Sequence, residues 1–294
     1  MEASRPDDPD EGVGTGAVQD EVAETEAAAA VGVDVIPERG PAAYVAEFIG
    51  TFALVFFITM AVSIFGRAPV SDQELAQGAQ QPFIDFSVIG LVHVFVLFML
   101  IQTLAVVSGA HFNPAITAAL AAIRQIRMID AAIYVVVQLA GGVIGALLTK
   151  LILQKDNFPN ADAVNWGAVD VSKVLDGSTG LGMLVEGVGT FFLVWAVVGV
   201  AVNPQAFREW AGLVIGGTLG LIVMVGAGLT GAGFNPARAF GPALASGEWA
   251  DSAGQFLLVY IAAPVIGALL AAFVYMQMFV LPGKKGPFGM GPVG

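Results

Sequence analysis

The stretches Ser108-Gly-Ala-His-Phe-Asn-Pro-Ala115 and Thr230-Gly-Ala-Gly-Phe-Asn-Pro-Ala-Arg238 are near-copies of each other. Each sets a loop of small residues before Asn-Pro-Ala, and each Asn-Pro-Ala opens a short run that reads as helix. Asparagine is a strong N-cap, and proline suits the first helical position because the N–H it lacks would be unpaired there. Asn113 and Asn235 therefore read as two helix starts. Each follows a long apolar segment, which sets the pair apart from ordinary loop caps.

Composition places those segments. The chain has 294 residues, 56% hydrophobic and 12% charged, with a mean hydropathy of +0.79. Several runs exceed the roughly 20 residues that a helix needs to cross a bilayer, so the chain reads as a polytopic all-α membrane protein. With no cysteine, disulfides, thiol chemistry and cysteine-ligated metals are excluded. The net charge of −12 is uneven: residues 1–40 hold eleven acids against Arg5 and Arg39. That acidic stretch has no apolar periodicity and no basic start before an apolar core. It is expected to be a disordered, solvated tail and not a signal peptide, with a regulatory role as the alternative.

From Pro41 the spans read as about 41–65, 86–107, 129–153, 180–202, 210–229 and 255–281, with short half-helices after each Asn-Pro-Ala and a tail over 282–294. The membrane body is thus expected over 41–281, in repeats of about 41–153 and 180–281. The repeat shows in Glu47-Phe-Ile-Gly-Thr-Phe52 and Glu186-Gly-Val-Gly-Thr-Phe191. Three spans per half is an odd number, so the two copies run in opposite senses across the membrane, and matching interruptions in such repeats point to a site at the midplane. Arg124, Arg127, Arg208, Lys284 and Lys285 fall on one side and Arg67, Lys150, Lys155 and Lys173 on the other. That slight bias favours cytoplasmic termini.

Two re-entrant loops from opposite faces bring Asn113 and Asn235 together near the centre. Irregular backbone at that depth must be buried in protein or line a watery path. The carbonyls of Gly109, Ala110 and His111, and of Gly231, Ala232 and Gly233, are candidates for that lining. Both half-helices point positive ends at the centre, a field that repels cations, while the Asn amides donate to passing water. Such a lining suits a pore for neutral molecules.

These residues resemble the aquaporin, or major intrinsic protein, family over about residues 42–281. The resemblance rests on His111-Phe-Asn-Pro-Ala-Ile-Thr117, Gly233-Phe-Asn-Pro-Ala-Arg238 and the paired Glu-x-x-Gly-Thr-Phe stretches. It implies an hourglass of six transmembrane helices and two half-helices, a homotetramer, and one pore per subunit with no cofactor or metal. Carried over by spacing, the family's second constriction falls on His93, Val223, Ala232 and Arg238. The central motifs are Asn113, Pro114, Ala115 and Asn235, Pro236, Ala237. Glu47 and Glu186 are expected to hold the re-entrant loops in place, with a proton relay as the alternative. A histidine at the place of His93 is similar to the plant tonoplast intrinsic proteins, some of which also pass ammonia or urea. A packed core histidine is the plainer alternative.

The expected function is a passive channel for water, and for small neutral solutes such as ammonia or urea, that excludes ions. The setting is a lipid bilayer, the plasma (inner) membrane, with no nucleic-acid partner. Ala239, Ala232 and His93 stand where glycerol channels of the family carry Asp and aromatics, which leaves a glycerol facilitator as the alternative. A coupled secondary transporter would need a titrating or sodium-binding site where two neutral amides stand, and an enzyme would need a cluster that His93 and His111 alone do not make. Gln102 and Gln138 are expected to be internal hydrogen-bonders, and Gly141, Gly142, Gly145, Gly216, Gly217 and Gly220 to permit close helix crossings.

Overall fold

The computed structural model describes residues 36–66, 86–154, 161 and 164–280. The expected acidic tail lies almost entirely outside them, as do the loop after the first span and the C-terminal tail. Among the described residues, six helices are long and apolar enough to cross a membrane: α1 (Pro41–Phe65), α2 (Phe86–Ser108), α4 (Met128–Leu153), α5 (Thr179–Val202), α6 (Arg208–Thr230) and α8 (Ala253–Val280). Between them lie the half-helices α3 (Pro114–Ala122) and α7 (Pro236–Ser246). Local chemistry sets the ends. Pro41 occupies the first turn of α1, and the Ser178 and Ser252 hydroxyls accept from the Leu181 and Gln255 N–H groups at the starts of α5 and α8. Gly247, at φ 86°, ends α7. Left-handed backbone of that kind suits glycine. The helices widen into π-helix at Val198–Val202, Leu257–Ala262 and Met276–Val280.

The packing repeats between halves. α1 lies along α4 and α2; its counterpart α5 lies along α8 and α6, while α2 and α6 pack on each other. Each half-helix rests on the last span of the opposite half, α3 on α8 and α7 on α4. The result is an hourglass of six spans and two half-helices in inverted repeats. Glycine makes the crossings close. A Cβ added at Gly141 or Gly145 would stand 2.5 Å or 2.6 Å from the Phe48 or Phe52 carbonyl oxygen of α1. One at Gly216 would meet Val94 O at 2.7 Å. Gly217 departs from expectation: nothing lies within 4 Å of its Cβ position, so it takes no part in a crossing.

The start of α1 is tied down by charge. Arg127 donates from Nε (2.7 Å) and Nη2 (3.1 Å) to Asp130, and Tyr44 Oη donates to the same carboxylate at 2.7 Å. Glu38 lies 3.1 Å from Arg127 Nη1. Hydrogen bonds to the Asp130 and Glu38 carboxylates hold the Arg127 guanidinium above its usual range. Large apolar side chains such as Phe95, Val136, Leu221 and Phe273 are exposed, as the faces of helices standing in lipid should be.

Candidate functional site

The repeated Glu-x-x-Gly-Thr stretch accounts for how the loops are held. Glu47 is fully buried and accepts from Ser108 Oγ (2.7 Å), His111 N (2.9 Å), Phe112 N (2.7 Å) and Gln138 Nε2 (2.8 Å). Glu186 accepts from Thr230 Oγ1 (2.6 Å), Gly233 N (2.8 Å) and Phe234 N (2.5 Å). Three residues on, a Cβ at Gly50 would fall into the Phe112 ring, and one at Gly189 into the Phe234 ring. The next residue closes the unit, since Thr51 and Thr190 donate to the Glu47 and Glu186 carbonyls at 2.8 Å. Glutamate thus takes the loop backbone while glycine admits the loop's aromatic ring.

The loops need this support because their backbone is unusual. Gly109, Ala110 and Phe112 have φ of 88°, 54° and 48°, mirrored by Gly231, Ala232 and Phe234 at 73°, 55° and 50°. Non-glycine residues in that region carry strain of about 1–3 kcal/mol each unless the surroundings fix them. Tyr134 Oη donates to Ser108 O at 2.7 Å, and Tyr260 Oη to Thr230 O at 2.8 Å. Each tyrosine thus pins the entrance of one loop. Tyr134→Phe is expected to cost about 1 kcal/mol, lowering the midpoint of thermal unfolding in detergent by about 2–4 °C.

At the centre the loops meet. Asn113 Oδ1 accepts from Ala115 N at 2.8 Å, and Asn235 Oδ1 from Ala237 N at 2.9 Å and Arg238 N at 3.3 Å. Each amide nitrogen crosses to the other half: Asn113 Nδ2 donates to Phe234 O and Asn235 Nδ2 to Phe112 O, both at 2.9 Å. An amide NH2 has two hydrogens, so each Asn keeps one for a solute. Pro114, Ala115, Pro236 and Ala237 form the first buried turns of the half-helices, whose positive ends converge here.

Two cavities share part of their lining. The inner one, about 100 Å³, is lined by Asn113, Asn235, Gly109, Ala110, His111 and Gly233, with apolar side chains such as Leu54, Ile101 and Leu193. The outer one, about 320 Å³, is bordered by Val223, Gly231, Asn165 and Asp170. His93 and Arg238 line both cavities, so these two side chains stand where the cavities join. His93 Nδ1 lies 2.7 Å from Ile89 O. Facing a carbonyl, Nδ1 must carry the proton, which leaves Nε2 as an acceptor. Nε2 is buried without a partner, and so is Arg238 Nε. Ala232 is 2% exposed and is absent from the linings of both cavities. Burial pushes the Asp170 carboxyl above the usual carboxylate range.

Sequence reasoning missed the loop between α4 and α5 as a partner of the site. Arg238 Nη1 donates to Gly167 O at 2.9 Å, and Asn165, Trp166 and Gly167 follow one another at φ 49°, 47° and 82°. Glycine at the third position was the one available signal. Gln138 is buried and bonded to both Glu47 and Thr117. Gln102, expected inside, is exposed beside Gly212. It sits where the end of α2 passes the start of α6, at the edge of that crossing.

Residues 39–275 match the sequence profile described as "Major intrinsic protein". The chain is 34% identical over 239 residues to the "Probable aquaporin AqpM" of Archaeoglobus fulgidus, covering 79% of this chain and 94% of the relative. It is 35% identical over 230 residues to "Glycerol uptake facilitator protein-like 6" of Lactiplantibacillus plantarum, covering 78% and 94%. The fold is similar to the X-ray structure of the aquaglyceroporin from Plasmodium falciparum, with a TM-score of 0.62 at 21% identity over 80% of this chain and 95% of the other.

Proposed function

The chain belongs to the major intrinsic protein family, hence is an integral membrane channel and not an enzyme, and from that premise we propose that it passes water and small neutral solutes such as ammonia or urea. The observation that carries this reading is the pair His93 and Arg238 at the junction of the two cavities. A buried acceptor on His93 and a buried donor on Arg238, each without a protein partner, offer a passing solute both halves of a hydrogen-bonding exchange. Arg238 and the two helix ends repel cations. Val223 borders the outer cavity beside His93 and Arg238, whereas Ala232, expected in the same constriction, is buried behind the lining of both cavities. Glu47 and Glu186 act as loop supports. A homotetramer in the plasma membrane with cytoplasmic termini completes the reading, supported by the exposed apolar faces and the distribution of Lys and Arg.

Stopped-flow light scattering on proteoliposomes with water, glycerol, urea and ammonia tests it. Rapid water flow without glycerol flux supports the reading; glycerol flux exceeding water overturns it. Glycerol is the second reading, favoured by the largely apolar inner cavity and by the relative named for glycerol uptake. His93→Ala removes one hydrogen-bond acceptor and opens the junction. Urea or ammonia permeability relative to water is expected to change about fivefold, the size of one hydrogen bond. If neither ratio moves, His93 is a packing residue.

A further inference from the structure

Arg238 stands in a closed ring of contacts that runs through residues lining neither cavity. Its Nη1 donates to Gly167 O at 2.9 Å. Gly167 follows Trp166, and the Trp166 ring carries Lys150 Nζ 4.4 Å above its centroid. Lys150 Nζ also donates to Ala245 O at 2.7 Å. Ala245 lies near the end of α7, the half-helix whose first turn holds Arg238, so the ring returns to its start.

Two features make this ring more than packing. Asn165 and Trp166 are non-glycine residues at φ 49° and 47°, a conformation that persists only where neighbours fix it. Trp166 Nε1 is buried without a partner, so no hydrogen bond of its own holds the indole in place. Its ring face is held by the Lys150 ammonium, a contact that a tryptophan face makes better than any other side chain.

We propose that Lys150 and Trp166 are positioning residues for the constriction: they fix the turn at residues 165–167 so that the Gly167 carbonyl holds the Arg238 guanidinium in one pose, and thereby set solute discrimination without touching the solute. The inference rests on the reading of Arg238 and His93 as the solute filter.

The test is the urea-to-water and glycerol-to-water permeability ratios of the full chain in proteoliposomes. Lys150→Met and Trp166→Leu are each expected to raise these ratios about threefold, the size of one lost cation–π contact. Lys150→Arg and Trp166→Phe keep a cation over a ring face and are expected to restore the native ratios. Unchanged ratios in Lys150→Met and Trp166→Leu overturn the proposal, as does a proportional loss of all fluxes that the conservative variants share. Where Lys150→Met fails to accumulate as folded channel, the Trp166→Leu and Trp166→Phe pair decides alone. Arg238→Val separates the two readings. If it leaves the ratios unchanged, the filter reading fails; if it raises them while the Lys150 and Trp166 variants do not, the positioning role alone fails.

Discussion

Glu47→Ala is expected to remove most of the stability of the first repeat and with it the open channel. Its carboxylate takes four hydrogen bonds, two of them from the backbone N–H groups of His111 and Phe112. Ser108 and Gln138 can turn toward other acceptors, and Gln138 already reaches Thr117 at 2.9 Å. The two backbone donors cannot, because the left-handed turn at Ala110 and Phe112 aims them at Glu47. Each buried donor left unpaired costs about 1–3 kcal/mol, and the strained loop loses its anchor as well. Set against a total stability of about 5–15 kcal/mol, the loss is severe. Thermal unfolding of purified protein checks it, with Glu47→Gln falling between wild type and Glu47→Ala because one acceptor oxygen survives. A midpoint for Glu47→Ala within about 2 °C of wild type would show that the loop is held by packing of Phe112 alone.

Arg238→Val is expected to leave a folded channel with poor discrimination. The side chain is 2% exposed, at the junction of the cavities, and valine removes its bulk, its donors and its charge together. Urea and glycerol permeability are expected to rise about tenfold or more relative to water, since a loss of about 1.4 kcal/mol of discrimination already gives that factor. A cation conductance absent from wild type is expected to appear, because one of the positive barriers is gone. Solute swelling assays and conductance of planar bilayers read the two effects separately. Wild-type ratios in this variant would place the discriminating step elsewhere, at the paired Asn residues.

Those two predictions differ in how far the sequence alone supports them. Asn113, Asn235 and the helices they start were legible because Asn-Pro is a local signal whose chemistry is complete within a few residues. Glu47 and Glu186 were legible because the same pattern recurs at matching places in both halves. The Phe112 ring seated over Gly50, and Phe234 over Gly189, could not be read locally. Those pairs lie far apart in the chain, and only the repeat hinted at them. The Asn165–Gly167 turn was illegible for a different reason. Left-handed asparagine is not unusual, but left-handed tryptophan has no sequence signature, since its neighbours in space impose it. Lys150 read as a loop-side cation for orientation, and its bond to Ala245 and contact with Trp166 emerge only once α7 rests on α4. Gln102 and Gly217 were misplaced because one apolar span does not tell which face meets protein and which meets lipid.

The crossed amides at the centre bear on how the protein is made. Asn113 donates to Phe234 O and Asn235 to Phe112 O, so neither repeat finishes its own loop. On the ribosome the first half enters the membrane more than a hundred residues before its counterpart is translated. Until then the Asn113 amide lacks its carbonyl partner, and α3 lacks α8, the span on which it rests. The N-terminal half nevertheless carries its own supports for the loop backbone, in Glu47, Tyr134 and Gln138. A chain cut before α5 is thus expected to leave Asn113 Nδ2 without its carbonyl partner and α3 without the span on which it rests, so the central constriction belongs to the two halves jointly.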